Sequence, residues 1–528
     1  MHLGFKDIVV VIIYAMVVLA AAHLFQRGGR RSEDETEDTP TTRALPWWAI
    51  GASLIAANIS AEQIIGMSGS AYALGIAIAG YEWLAAFAMV VIGKYFLPVF
   101  LKNQISTMPQ FLRLRYGPKT QVTMAVMWIA LYTLVSLTAI MWLGATAVHA
   151  VMPQLNMTVS VILLGLVAGN YALYVGLKST HFTDVVQVAM LVLGGLVIAV
   201  FALEKIADTA GSGGGLQGLV AGFKILATRM PEHFEMVLEP TNKYYKYLPG
   251  ITTVFGAMWI IQFSYWGFNQ FIVQRALSAR SIREVQKGVV FAAYLKLLMP
   301  VIVVLPGIAA AFLLQDKVVA RSDMAYPMLM TMLPPGLLGF VFVALVAAII
   351  ASAGSTLSSI AKISAQDVVA VLYPKSSKRL LVIVGRFTAI GTLLVAMAVA
   401  SPLLGRADQA FQYIQEYSGF FAPGVIVVFL LGMFWRRTNE TGALLAAGGT
   451  VLVSAFYAVF LPDVPFMIRM GHVTLICLAL AVVGSLATKS KQNTAIDSSG
   501  IDYSTTPGYN IASAAIVVIL AALYWYLW

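Results

Sequence analysis

Apolar residues along this chain come in long unbroken runs, not in alternation with polar ones. A helix that crosses a bilayer needs about 20 mostly apolar residues, and about fourteen windows meet that test. The first seven lie near residues 5–25, 47–75, 80–101, 121–152, 157–177, 181–204 and 249–274. The other seven lie near 288–314, 335–371, 380–402, 409–434, 439–461, 466–487 and 509–527. A membrane barrel would instead show short strands with alternating hydrophobicity. The pattern therefore predicts an all-α integral membrane protein of about fourteen transmembrane helices.

Two windows are interrupted. The stretch AANISAEQIIGMSGSAYALG, Ala56 to Gly75, carries Asn58, Ser60, Glu62 and Gln63 with several glycines. The stretch QFSYWGFNQ, Gln262 to Gln270, places Gln262, Ser264, Tyr265, Gly267 and Asn269 at membrane depth. Paired broken helices in corresponding positions of two halves point to a secondary transporter built from inverted repeats. The chain then divides into an extra N-terminal helix (5–25), a first five-helix repeat (47–204), an external loop (205–248), a second five-helix repeat (249–434) and three further helices (435–528). An unwound helix bares carbonyls and half-helix ends that can replace the hydration shell of a small cation or hold a polar solute. The glycines are expected to permit the first break; for Gly66, Ser68 and Gly69 the competing reading is close helix packing.

Further polar residues fall inside apolar runs: Glu82 in GYEWLAAF, Lys296 in FAAYLKLLMP and Gln415 in FQYIQEYSG. A charge at a helix centre costs roughly 2.5 to 3.5 kcal/mol unless it is paired or wet. Glu82 and Lys296 read either as a buried ion pair locking two helices, with Glu82 alternatively in the interface, or as part of a cluster that hydrogen-bonds several hydroxyls. Tyr81, Tyr265, Trp266 and Phe411 would stack on an apolar ring face or close the site. That mixture suits a sugar. No arginine is expected beside the cluster, which argues against a carboxylate solute.

Composition agrees: 59% of residues are hydrophobic, 11% are charged and the mean hydropathy is +0.83. The net charge of +10 does not mark a nucleic-acid binder, because Lys and Arg sit in alternate short loops, such as Arg27 to Arg31, Lys102 to Lys119 and Arg275 to Lys287. The positive-inside rule puts those loops in the cytoplasm and both chain ends outside the cell's inner (plasma) membrane. The first segment, with RGGRR after it, reads as an uncleaved anchor. An apolar run ending at Trp528 in place of a signalling domain speaks against a sensor. The acidic run near residues 33–38 reads as a solvated linker, and GSGGG at Gly211 to Gly215 as part of an external loop that holds short helices. The single Cys477 excludes internal disulfides and Cys-based metal sites. The six histidines lack metal-ligand spacing, with His23, His149 and His181 reading as interfacial. No phosphate-binding or dinucleotide motif appears, so energy must come from an ion gradient. No nucleophile and base stand together, so an enzyme is not expected.

AANISAEQIIGMSGS, GYEWLAAF, YWGFNQFIVQRAL, FAAYLKLLMPVIVVLPGIAA and AFQYIQEYSG resemble the sodium/solute symporter family over nearly the whole chain, in its sodium/glucose cotransporter branch alongside the bacterial sodium/galactose symporters. The resemblance implies a leucine-transporter-type fold working by alternating access, with sodium as coupling ion and a hexose as solute. It assigns Gln63, Glu82, Lys296 and Gln415 to sugar hydrogen bonds, Tyr265 to an inner gate with Asn58 as its partner, and Trp266 to the wall. Met67, Tyr81 and Phe411 match an outer gate. Gln262 and Ala85 stand where the galactose symporter has asparagine and serine, so glucose, another hexose or inositol stays open, and sialic acid remains an alternative.

The resemblance also places carbonyl ligands for sodium on Ala56, Ile59 and Ala348 and hydroxyl ligands on Ala351 and Ser352, of which only Ser352 has the hydroxyl. A different coupling cation therefore stays open. Asp184 matches an acidic residue near the ion's inner exit, or else caps its helix. Lys362 either snorkels to the cytoplasmic side or competes with a cation.

Overall fold

The computed structural model describes residues 4–14, 16, 46–105, 107–175, 180–211, 214–276, 281–488, 496 and 500–528, without the side chains of 171, 173–188, 271, 274 and 275. Helices account for its regular structure. Among the described residues nine helices are long and apolar enough to cross a membrane, and Ala410–Ser418 with Ala422–Phe434, bent by 43°, makes a tenth. The remaining expected spans are broken, shorter or run beyond the described residues. The segment near residues 33–38 and Lys178 lie outside them. The protein is a multi-pass, all-α membrane protein.

The first broken helix runs from Trp47–Asn58 through a break at Ile59 and Ser60 into a π-helical turn, Glu62–Met67, and a last α stretch, Ser68–Leu74. Its cause is local. Ile59 takes an extended conformation (φ −71°, ψ 115°), and its amide still closes onto Ile55 O. Ser60 then restarts the helix: its carbonyl accepts from the amides of Gln63 (3.1 Å) and Ile64 (3.0 Å), and its Oγ accepts from the Glu62 amide at 3.2 Å. A serine followed three residues later by glutamine is a helix-start signature, here placed in mid-membrane. The glycines are not the cause. Gly66 is packed against Leu143 and Phe411, and a Cβ on Gly69 would stand 2.8 Å from Asp323 Cα; the close-packing reading of these residues holds. The helix stops at Gly75, whose φ of 71° is a conformation favoured by glycine.

The second break falls at the C-terminal end of the polar stretch Gln262 to Gln270. Gln262, Ser264, Tyr265 and Gly267 lie on an intact helix, Met258–Phe268, and the chain opens at Asn269 before resuming as Gln270–Ala276. Asn269 (φ −74°, ψ 121°) nearly reproduces the backbone of Ile59, so the two interruptions are conformational equivalents. A separate kink falls at Gly256.

The Ile282–Leu313 helix packs against both Trp47–Asn58 and Gly80–Tyr95. A reciprocal glycine contact brings it close to the first: a Cβ on Gly51 would sit 2.6 Å from Gly288 O, and one on Gly288 would sit 2.8 Å from Trp47 O. That approach sets Lys296 opposite Asn58 and Glu82. Outside the spans, the loop of residues 205–248 holds the expected short helices, Gly215–Arg229 and Pro231–Phe234.

Candidate functional site

A cavity of about 130 Å³ opens among the first broken helix and the Gly80–Tyr95, Met258–Phe268, Ile282–Leu313 and Ala410–Ser418 helices, with a further wall from residues 128–136. Its wall holds Asn58, Gln63, Tyr81, Glu82, Gln262, Tyr265, Trp266, Lys296, Phe411 and Gln415. Ten sequence-predicted residues from five separated stretches of chain are thus brought together. Met67 is fully buried beneath the same helix turn but is not on the wall, and neither is Ala85.

Lys296 organises the wall. Its ammonium donates to Glu82 Oε2 at 2.5 Å and to Asn58 Oδ1, and it lies over the Trp266 ring, 5.1 Å from the centroid. Asn58 Nδ2 in turn donates to the Tyr265 hydroxyl at 3.3 Å. The two sequence readings of Glu82 and Lys296 are therefore compatible: they form a buried ion pair, and that pair faces the cavity. Gln63 Oε1 and the Tyr81 hydroxyl are buried without a hydrogen-bond partner among the described residues, which suits a polar guest. Gln262 is partly committed, its Nε2 donating to Tyr81 O at 2.7 Å. The Tyr81 and Phe411 rings meet edge to face at 5.1 Å, and both residues are buried.

A second cavity, of about 110 Å³, adjoins the first. Ala56, Ile59, Ala348, Ala351 and Ser352 all line it, as does a face of the Leu337–Lys362 helix carrying Ser355, Thr356 and Ser359. The break leaves the carbonyls of Ala56, Ala57 and Asn58 without a following helical turn to close onto them. Bare carbonyls with nearby hydroxyls are the oxygen donors a hard cation takes, so these residues fit sodium although Ala351 contributes no hydroxyl. Lys362 is half-buried and is not on this wall. Asp184 lies outside the residues whose side chains are described.

One expectation fails. Arg469 is a buried arginine beside the cluster: its Nη2 donates to Glu416 Oε1 at 2.7 Å, next to Gln415, and its guanidinium lies over the Phe420 ring. It is committed to Glu416 and does not line the cavity. Sequence reasoning also missed a whole wall. Trp128, Tyr132 and Ser136, from the helix Pro118–Leu131 and the π-helical turn Tyr132–Leu137 that follows it, face the first cavity. The Tyr132 hydroxyl donates to Asn269 Oδ1 at 3.2 Å. Asn58, Glu62, Tyr132, Ser136, Tyr265 and Asn269 line both cavities and form the partition between them.

Comparison with known proteins follows this geometry. The model of the sodium:solute symporter family matches residues 41–449. The sodium/glucose cotransporter of Vibrio parahaemolyticus is 41% identical over 100% of this chain and 99% of its own length. The sodium/myo-inositol cotransporter 2 of Mus musculus is 30% identical over 83% of this chain and 67% of its own. Among solved structures, a Na+-coupled sialic acid symporter in a substrate-bound outward-open state superposes with a TM-score of 0.74 at 18% identity, covering 93% of this chain and 99% of that one.

Proposed function

From the premise that the chain belongs to the sodium:solute symporter family, we propose that it couples inward sodium movement to uptake of a hexose by alternating access. The observation that carries this reading is the pair of cavities sharing one partition. One is walled by a carboxylate, an ammonium, amides and aromatic rings; the other by the bared carbonyls of a broken helix.

In the first cavity Glu82 and Gln63 accept from sugar hydroxyls, Lys296 and Gln415 donate, and Trp266 and Gln262 shape the wall. Tyr81 and Phe411, backed by Met67, close the outer side, and Tyr265, held by Asn58, closes the inner side. In the second cavity the carbonyls of Ala56, Ile59 and Ala348 and the hydroxyl of Ser352 hold sodium. Sodium there fixes the half-helix ending at Asn58, which positions Asn58 and Gln63 for the sugar; by linkage, sugar then tightens sodium. Asp184 lies on the ion's inner exit.

The membrane potential contributes about 2.3 kcal/mol per 100 mV for one cation, and a tenfold sodium ratio adds about 1.4. Even one sodium per sugar therefore supports accumulation of several hundredfold. The setting is the plasma membrane, with both chain ends outside.

A second reading, inositol as solute, is favoured by the 30% identity over 83% of this chain to the sodium/myo-inositol cotransporter 2 of Mus musculus. Uptake of labelled sugars and inositol into proteoliposomes, under a sodium gradient, a proton gradient or none, tests both. Sodium-driven hexose uptake is the expected result. Sodium-independent uptake would remove the ion assignment, and inositol uptake without hexose uptake would replace the solute.

A further inference from the structure

Three helices begin side by side at one level of the fold: Trp47–Asn58, Ile282–Leu313 and Pro507–Tyr526. The first two run parallel, since Gly51 meets Gly288 near their starts and Asn58 meets Lys296 further along. The second and third both run antiparallel to Gly80–Tyr95. Ile282–Leu313 meets Gly93 through Val289 and Glu82 through Lys296, while Pro507–Tyr526 meets Val90 through Tyr509 and Trp83 through Tyr524.

A groove of about 280 Å³ lies among these three helices. Its walls are the rings of Trp47, Phe291, Tyr294 and Tyr509 with the side chains of Val290 and Ala512. Both tyrosine hydroxyls are spent on main-chain carbonyls, Tyr294 donating to Ala512 O at 2.9 Å and Tyr509 to Val90 O at 2.6 Å. The groove therefore presents rings and methyl groups. Its polar groups, Lys287 and the Gly508 main chain, belong to the starts of their helices and so stand at the mouth. Lys287 precedes Tyr294 by seven residues, so about 10 Å of apolar wall runs inward from the ammonium.

The mouth is positively charged. Lys287 is half exposed and gives one of its three donors to Glu284 Oε1 at 3.2 Å, while Glu284 Oε2 accepts from the Trp47 amide at 3.1 Å. Those two charges cancel, and the three helix starts each add a partial positive charge. In the last of them Thr506 Oγ1 takes the Tyr509 amide at 3.3 Å, which leaves the Gly508 amide without an acceptor in its own helix. Lipid surrounds a multi-pass protein, and a phospholipid has both parts this groove asks for: an apolar chain and an anionic phosphate.

We propose that this groove binds an anionic phospholipid of the phosphatidylglycerol kind, with one acyl chain against Trp47, Phe291 and Tyr294 and the phosphate accepting from Lys287 Nζ and the Gly508 amide. A zwitterionic lipid carries its own ammonium beside the phosphate and gains less from a positive rim. Trp47 opens the half-helix whose far end bares carbonyls to the second cavity, so a bound lipid holds that half-helix against Ile282–Leu313. The site is independent of which solute and ion are transported.

Lipid-stripped protein in maltoside micelles, melted with rising mole fractions of dioleoylphosphatidylglycerol or dioleoylphosphatidylcholine, tests this. Phosphatidylglycerol should reach half of its effect on the melting temperature at about a fivefold lower mole fraction, the factor that one cationic side chain supplies near a membrane surface. Lys287→Gln should erase that preference, and Ala512→Trp, which fills the groove, should remove the response to phosphatidylglycerol. Native mass spectrometry should show one phosphatidylglycerol retained per wild-type chain and lost from Lys287→Gln, a comparison that decides the matter if Ala512→Trp does not fold.

Equal potency of the two lipids on the wild type, a preference that survives Lys287→Gln, or a full response in folded Ala512→Trp each overturns the proposal. So does equal retention of the lipid by wild type and Lys287→Gln.

Discussion

Lys296 Nζ and Glu82 Oε2 are 2.5 Å apart, and each side chain keeps only 2% of its surface exposed. The pair joins the Ile282–Leu313 helix to the Gly80–Tyr95 helix across the wall of the first cavity. A bond so placed joins two helices and, on the proposed reading, also faces the solute; mutation can separate the two roles.

Lys296→Met and Glu82→Gln should each destabilise the protein by about 3 to 5 kcal/mol, because each leaves its partner as an uncompensated buried charge. The double variant should recover most of that loss. Sugar uptake should be abolished in all three, since no combination restores the donors and acceptors. Thermal unfolding in detergent, read beside proteoliposome uptake, checks this. If the double variant regains both stability and uptake, the pair serves only to lock the helices.

Tyr265→Phe removes the hydroxyl that Asn58 holds at 3.3 Å. One such hydrogen bond contributes about 0.5 to 1.5 kcal/mol, so efflux of preloaded sugar should accelerate roughly 2- to 10-fold with little effect on sodium affinity. Asn58→Ala should cost more, because it also strips an acceptor from the Lys296 ammonium. Equal effects of the two substitutions would mean that Tyr265 does not gate release.

These sites were legible in the sequence to different depths. The spans and the first broken helix are legible because apolar runs are long and polar residues interrupt one of them, but composition points to the glycines as its cause, whereas they serve close packing and Ser60 with Gln63 restarts the helix. The second break is legible only to within the stretch Gln262 to Gln270: Asn269, where the chain opens, looks no different from Gln262 or Ser264 when only polarity in an apolar run is visible. Tyr132 and Ser136 escaped notice because a lone tyrosine or serine among apolar residues ordinarily signals packing. The Arg469 and Glu416 pair joins residues far apart in sequence, and neither one's neighbours announce the other. Residues defined by tertiary partners were the ones missed.

Ala351 lines the second cavity, the proposed ion site, beside Ser352 but offers no oxygen from its side chain. Ala351→Ser should therefore lower the half-saturating sodium concentration, up to about tenfold, since a hydrogen bond or dipole to a charge contributes about 1.5 kcal/mol. Ser352→Ala should move it the other way by a similar factor. Sodium titration of sugar uptake at fixed voltage measures both. No effect from either would place the ion away from this helix.

A buried carboxylate outside the spans makes a pH-sensitive contact. Asp323, in the segment between the Ile282–Leu313 and Leu337–Lys362 helices, is fully buried and accepts from the Ala410 amide through Oδ1 (3.1 Å) and Oδ2 (3.0 Å), while Arg321 reaches Oδ2 at 3.2 Å. Asp408 holds the neighbouring Ser322 through its amide and hydroxyl. The segment therefore clamps the start of the Ala410–Ser418 helix, which carries Phe411 and Gln415, against Gly69 of the first broken helix. Burial pushes the Asp323 carboxyl up to about 7, with Arg321 and the Ala410 amide opposing that rise and Asp408 adding to it. Because this lies above the ordinary value of about 3.9, the clamped form binds the proton more tightly than an opened or unfolded form does. Its stability is therefore greatest in acid and is lost as pH rises through about 7. Between pH 6 and 8 the loss is about 1.4 kcal/mol, a tenfold shift in the equilibrium. Asp323→Asn keeps an acceptor for the Ala410 amide and cannot ionise, so its melting temperature should stay level over that range while the wild type's falls. Parallel pH profiles for the two proteins would show that Asp323 does not titrate in the clamp.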